Sequence, residues 1–140
     1  MKSKLIWKGD LGFVAKGGSG HEVIIDAAEE SGGHDQGPRP MELLLHGLAG
    51  CTAIDVVLIL KKMKVELTDF SVEVEGERAE EHPRRFTRIH LKYKLKGKGL
   101  TEKNISRAIN LSQEKYCSAS NSFNAEITSS YEFENIEQGQ

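Results

Sequence analysis

With 140 residues, 38% hydrophobic and 29% charged, the chain has the make-up of one compact globular domain, residues 1–140, and not of a disordered segment. A formal net charge of -2 gives no overall field that would draw nucleic acid or anionic lipid, so neither nucleic acid nor membrane is expected as a partner. At this length a core forms without covalent staples, and two cysteines are too few for a disulfide framework.

The charged start, Met1 to Lys8, carries only a three-residue apolar run, too short for a secretory leader. This places the protein in the cytoplasm, where thiols rest reduced and a disulfide is transient and catalytic. Short strands are expected around Leu5 to Lys8, Leu11 to Lys16 and His21 to Ala27, with Gly17-Gly18-Ser19-Gly20 as the turn between the last two. That glycine run lacks the Gly-Lys-Ser/Thr end of a phosphate loop. The polar stretch Glu29 to Pro38 reads as a mobile loop.

From Met41 to Met63 a helix is expected. Pro40 suits its first turn, Glu42 its positive start, and Lys61 and Lys62 its negative end. Its leucines, isoleucines and valines point in every direction at about 100° per residue, so the helix must be covered all round. Asp55 near its middle counts against a membrane span, and Pro40, His46, Gly47 and Gly50 shorten the apolar run. One small sheet covers one side of such a helix, which leaves a second copy of the chain to cover the rest, as a homodimer.

Phe70 to Glu77 alternates apolar and acidic residues, and Thr87 to Lys96 alternates apolar and basic ones. A hairpin through Glu80-Glu81-His82-Pro83 sets the acidic row against the basic row. Thr101 is placed to cap a second helix whose Ile105, Ala108, Ile109 and Ser112 share a face, ending near Tyr116. Ser118 to Ser122 is a loop, and Ala125 to Glu134 a final strand. The order β-β-β-α-β-β-α-β is an α+β fold with a mostly antiparallel sheet and a long buried central helix.

Cys51 lies midway along the first helix and Cys117 at the end of the second, 66 residues later. Each is either a small buried hydrophobe or a reactive thiol. A nucleophilic Cys51 needs a cation, because Asp55 at i+4 raises its pKa and the charge of the helix start has faded there. Lys16, Arg39, Arg84, Arg85 and Arg88 are the candidates. Gly47 and Gly50 imply a close approach of another backbone or a ligand beside Cys51. Glu42 is either a helix-start anion or a group that orients the cation. His46 reads as a core histidine or, less simply, as a general base. No Cys-x-x-Cys or His-Glu-x-x-His spacing occurs, so no metal site and no cofactor are expected.

The run Gly37-Pro38-Arg39-Pro40-Met41-Glu42-Leu43-Leu44-Leu45-His46-Gly47-Leu48-Ala49-Gly50-Cys51-Thr52, followed by Glu114-Lys115-Tyr116-Cys117-Ser118-Ala119-Ser120-Asn121-Ser122, resembles the OsmC/Ohr family of thiol peroxidases. The resemblance implies an intertwined α+β homodimer with two long helices at its centre, acting on small organic hydroperoxides. It makes Cys51 the thiolate that becomes a sulfenic acid, Cys117 the thiol that resolves it as a disulfide, and a dithiol the reductant that restores both. The hydroperoxide-resistance branch draws its activating arginine from the early strands. Residues 1–38 here contain no arginine, so Lys16 or Arg39 takes that place, and Met41 sets Glu42 one position later than the branch has its glutamate. These departures align the chain with the OsmC-like branch. The alternative is a non-catalytic OsmC-like protein that binds a hydrophobic small molecule in the dimer cavity.

Overall fold

The computed structural model describes residues 1–136. Its order is β1 (Ser3–Gly9), β2 (Gly12–Gly17), β3 (Glu22–Ile25), α1 (Pro40–Lys62), β4 (Glu66–Arg78), β5 (Phe86–Lys98), α2 (Glu102–Leu111) and β6 (Glu126–Asn135), with one-turn helices at Glu29–Ser31, Ser112–Tyr116 and Ser120–Ser122. The strands form two three-stranded sheets, β1-β2-β3 and β4-β5-β6, and not one. The chain groups into two compact units, Met1–Leu44 and the part from Leu45 onward, and α1 runs across the division.

In the first unit the three strands form an antiparallel meander, with Gly20 N–H closing the turn on Gly17 C=O. Glu29 to Pro38, expected as a mobile loop, is instead threaded with hydrogen bonds. The buried Asp26 carboxylate accepts from the backbone N–H groups of Ala27, His34 and Gln36 at 2.7, 3.1 and 3.2 Å, and Asp26 N–H donates to Pro38 C=O. Gly33 lies so close that a Cβ there would stand 2.1 Å from the Ala27 carbonyl oxygen. A lone aspartate after an apolar strand carries no local signature of this role.

The second unit is built on β5. Its Ile89, Leu91, Tyr93 and Leu95 are buried, while Arg88, His90 and Lys96 between and beyond them are exposed. The register sets Glu73, Glu75 and Glu77 of β4 against Lys92, His90 and Arg88, as the alternation predicts. β6 adds a second acidic row on the other side: Glu126 pairs with Arg88, Glu132 with Lys92 and Glu134 with Lys96. These pairs are exposed and worth about 0–1 kcal/mol each, so they select register more than they stabilise. β6 runs parallel to β5, whereas the other paired strands are antiparallel. A parallel neighbour needs a crossover, and α2 provides it. At Gly76 a Cβ would meet the Phe86 ring at 2.6 Å; the glycine lets that ring lie across β4.

α1 begins where proline and glutamate place it. Glu42 accepts the backbone N–H of Arg39 at 3.0 Å, the reciprocal half of a capping box. The expectation of a helix buried all round fails within one chain. Only Leu48, Thr52, Val56 and Leu60 are buried, a stripe of every fourth residue, whereas Ile54 and Leu58 are 63% and 53% exposed. α2 starts on the Thr101 capping box with Asn104 and buries Ile105, Ala108 and Ile109. It ends at Leu111 and passes into a π-turn over Ser112–Tyr116.

Hydrogen bonds to the Asp26 carboxylate, that from Ala27 foremost, hold its pKa below the usual value. The clamp therefore persists above the ordinary aspartate pKa, about 3.9, and is lost only as pH falls through the lowered one. Hydrogen exchange is expected to show the His34 and Gln36 amides protected at pH 5 in the native chain and unprotected in Asp26→Ala.

Candidate functional site

The site grows from four polar residues at core positions of the second unit. Thr52 and Ser112 are fully buried, and buried hydroxyls need partners. Thr52 Oγ1 lies 2.8 Å from Tyr93 OH and 2.8 Å from Ser112 Oγ, and Ser112 Oγ donates to Asp55 Oδ2 at 3.0 Å. Each hydroxyl has a single proton, so the direction is forced. Ser112 spends its proton on Asp55, Thr52 donates to Ser112, and Tyr93 donates to Thr52. The Gln113 amide donates to both Thr52 Oγ1 and Tyr93 OH, at 3.0 and 3.2 Å, and its oxygen accepts from Ser120 Oγ at 2.9 Å. Burial pushes the Tyr93 phenol up, against the pull of Thr52 and Gln113, so it stays a donor.

This network locks α1, β5 and the π-turn together, and it carries the cysteines with it. Cys51 precedes Thr52, and Cys117 follows the π-turn, its N–H donating to Ser112 C=O at 2.6 Å. The Cys51 sulfur, the Cys117 sulfur and a carboxylate oxygen of Asp55 lie within 4.8 Å of one another. The structure thus joins two thiols 66 residues apart, together with the carboxylate that helical spacing places beside Cys51. Cys51 is half-buried and Cys117 buried, both with free thiols. Burial pushes the Cys117 thiol up; the Ser120 N–H, 3.4 Å from its sulfur, works against this, and neighbouring Cys51 adds to the rise.

The remaining candidates fall as follows. Arg84 and Arg85 hold backbone carbonyls of Ala79, Phe86 and Asn124, and Arg88 pairs with Glu126, so the hairpin arginines are engaged elsewhere. In the first unit Arg39 pairs with Asp35 at 2.5 Å, Glu42 caps α1, and Lys16 is exposed on β2 opposite Lys4 and Glu22. His46 is exposed, contrary to its reading as a core histidine. A Cβ at Gly47 or Gly50 would meet nothing within 4 Å, so the close approach they imply is not made among the described residues. The dithiol and carboxylate escaped motif spacing because their ligating atoms converge only in the fold.

The fold and site define an α+β protein with a dithiol centre. Residues 33–132 match the model of the OsmC-like protein family. Protein YhfA of Escherichia coli (strain K12) is 40% identical over 134 residues, covering 94% of this chain and 97% of that protein. The crystal structure of a hypothetical protein from Aquifex aeolicus VF5 is similar with TM-score 0.77 and 32% identity, over 95% of this chain and 96% of its own. That of an organic hydroperoxide resistance protein OsmC from Legionella pneumophila shares the fold, with TM-score 0.66 and 18% identity over 93% and 94% of the two chains. The chain belongs to the OsmC/Ohr family.

Replacing Thr52 by valine keeps the volume but leaves Tyr93 and Ser112 short of a partner in a buried setting, at a cost of about 1–3 kcal/mol. Urea unfolding is expected to show that loss as a lower midpoint with an unchanged slope.

Proposed function

We propose that the chain is a cytoplasmic, homodimeric cysteine peroxidase that reduces organic hydroperoxides. The observation that supports it is the meeting of Cys51 and Cys117, sulfurs within 4.8 Å, in a chain of the OsmC/Ohr family. The Cys51 thiolate attacks the terminal peroxide oxygen, the O–O bond breaks, and the alkoxide leaves as the alcohol after taking a proton. Cys51 is then a sulfenic acid. The Cys117 thiolate displaces its hydroxyl as water, forming the disulfide, and an external dithiol reduces that disulfide. The half-buried position of Cys51 suits the attacking role, and buried Cys117 the resolving one.

Lys16 and Arg39 are the cations this reading assigns to the thiolate, with Glu42 orienting Arg39. Lysine supplies a point charge in place of a bidentate fork. A second copy of the chain, completing an intertwined dimer around a single OsmC-like domain in each protomer, is supported by uncovered apolar surface. Gly47, Gly50, Ile54 and Val57 recur at spacings of three and four along α1 and are exposed, as are Leu5, Ile6, Trp7, Val23 and Ile24 of the first sheet. α1 is long and apolar enough to cross a membrane. Asp55 and its hydroxyl network, set into that helix, favour a protein-covered role for it instead.

One observation favours the other reading, a binder of hydrophobic small molecules. Burial and neighbouring Cys51 push the Cys117 thiol up, and a carboxylate oxygen lies within 4.8 Å of both sulfurs. Cumene hydroperoxide consumption with dithiothreitol separates the two. The native chain is expected to turn over, and Cys51→Ser to fall to the uncatalysed rate. Cys117→Ser is expected to stop at a sulfenic acid trapped by dimedone. Equal rates for the native chain and Cys51→Ser would leave the binder. Independently, Ile54→Arg is expected to raise the dimer dissociation constant by about 30-fold or more in sedimentation equilibrium, as loss of a central apolar contact does.

A further inference from the structure

We propose that the reduced Cys51–Cys117 pair and Asp55 form a binding site for a soft divalent cation, with Zn²⁺ the best fit and water in the fourth position. The three donor atoms already lie within 4.8 Å of one another. Tetrahedral zinc, with bonds of about 2.3 Å to sulfur and about 2.0–2.2 Å to oxygen, asks its ligands to stand roughly 3.5–3.8 Å apart. Small side-chain rotations cover the difference.

The donor set selects the cation. Two thiolates and one carboxylate disfavour magnesium and calcium, which take oxygen shells, and suit zinc. Asp55 is also held as a metal ligand would be. It receives the proton of fully buried Ser112, which is itself hydrogen-bonded to fully buried Thr52, and partners of this kind fix the orientation of ligating carboxylates. The charge arrangement points the same way. A carboxylate beside two thiols makes a pocket for positive charge, and the hairpin arginines are engaged elsewhere. Cys51 is half-buried and Cys117 buried.

Binding is a substitution without electron transfer: Zn²⁺ forms two sulfur bonds and one oxygen bond, and two thiol protons are released to solvent. A disulfide would tie up both sulfur donors, so oxidation releases the ion and a bound ion shields the sulfurs from peroxide. The site therefore reads the same two atoms as the proposed peroxidase but does not require that activity.

The test is titration of Co²⁺ into the full chain, stripped of metal and reduced with a phosphine. One Co²⁺ per chain is expected, with thiolate-to-cobalt charge-transfer absorption, tetrahedral visible bands and displacement by Zn²⁺. Cys51→Ser and Cys117→Ser should each halve the charge-transfer intensity or abolish it. Asp55→Asn should weaken binding about tenfold or more, and Ser112→Ala about tenfold. The native sequence oxidised to its disulfide carries no substitution and should bind no cobalt. Absence of charge-transfer absorption in the reduced native chain, or its full retention in Cys117→Ser or in the disulfide form, overturns the proposal. Cobalt binding without hydroperoxide consumption would remove only the peroxidase reading, and consumption without cobalt binding only this one.

Discussion

The single carboxylate of Asp55 governs the arrangement of the second unit. Its oxygen accepts the proton of Ser112, and because each hydroxyl carries one proton the chain runs in one direction from Tyr93 through Thr52 to Ser112. Those groups come from a strand, a helix and a π-turn. A rotation of α1 about its axis by one residue would carry Thr52 away from Tyr93 and break the series in a buried setting, where an orphaned hydroxyl costs about 1–3 kcal/mol. The cysteines adjoin this series in sequence, so their meeting follows from hydroxyl pairing and not from any attraction between sulfurs.

The same arrangement sets a tension at the sulfurs. Burial and the adjoining sulfur both push the Cys117 thiol toward its neutral form, with a carboxylate oxygen of Asp55 within 4.8 Å of both sulfurs. Positive charge must arrive for Cys117 to ionise, whether as a side chain or as a metal ion. A π-turn precedes Cys117. Such turns are uncommon and gather at functional sites; here the turn delivers both Ser112 and Gln113 to the hydroxyl network before the chain reaches the thiol.

Patterns with a local cause were legible in the sequence. Proline and glutamate placed the start of α1, Thr101 capped α2, and alternating charge gave the β4–β5 register. What needed distant partners was not. Ala125 to Glu134 alternates as any half-buried strand does, and nothing in that alternation distinguishes parallel from antiparallel pairing. Thr52 looked like one more small residue in an apolar helix, and Tyr93 like one more core residue of its strand. Asp26 gave no sign that it would gather the N–H groups of a loop eight and ten residues away. Cys51 and Cys117 stand out in the sequence, but Asp55 enters it only as a charge that counts against a membrane span and against ionisation of Cys51.

The charged face of the second sheet has a further consequence. β5 presents Arg88, His90, Lys92, Lys94 and Lys96 at every second residue, and the strands on either side both bring acids to this row. Sliding either neighbour by one residue would turn its acids toward the apolar layer, while sliding by two would bring acids and cations back into step. The comb thus works as a vernier: misalignments by an odd number of residues are excluded outright, and the ends of the strands must reject the even ones.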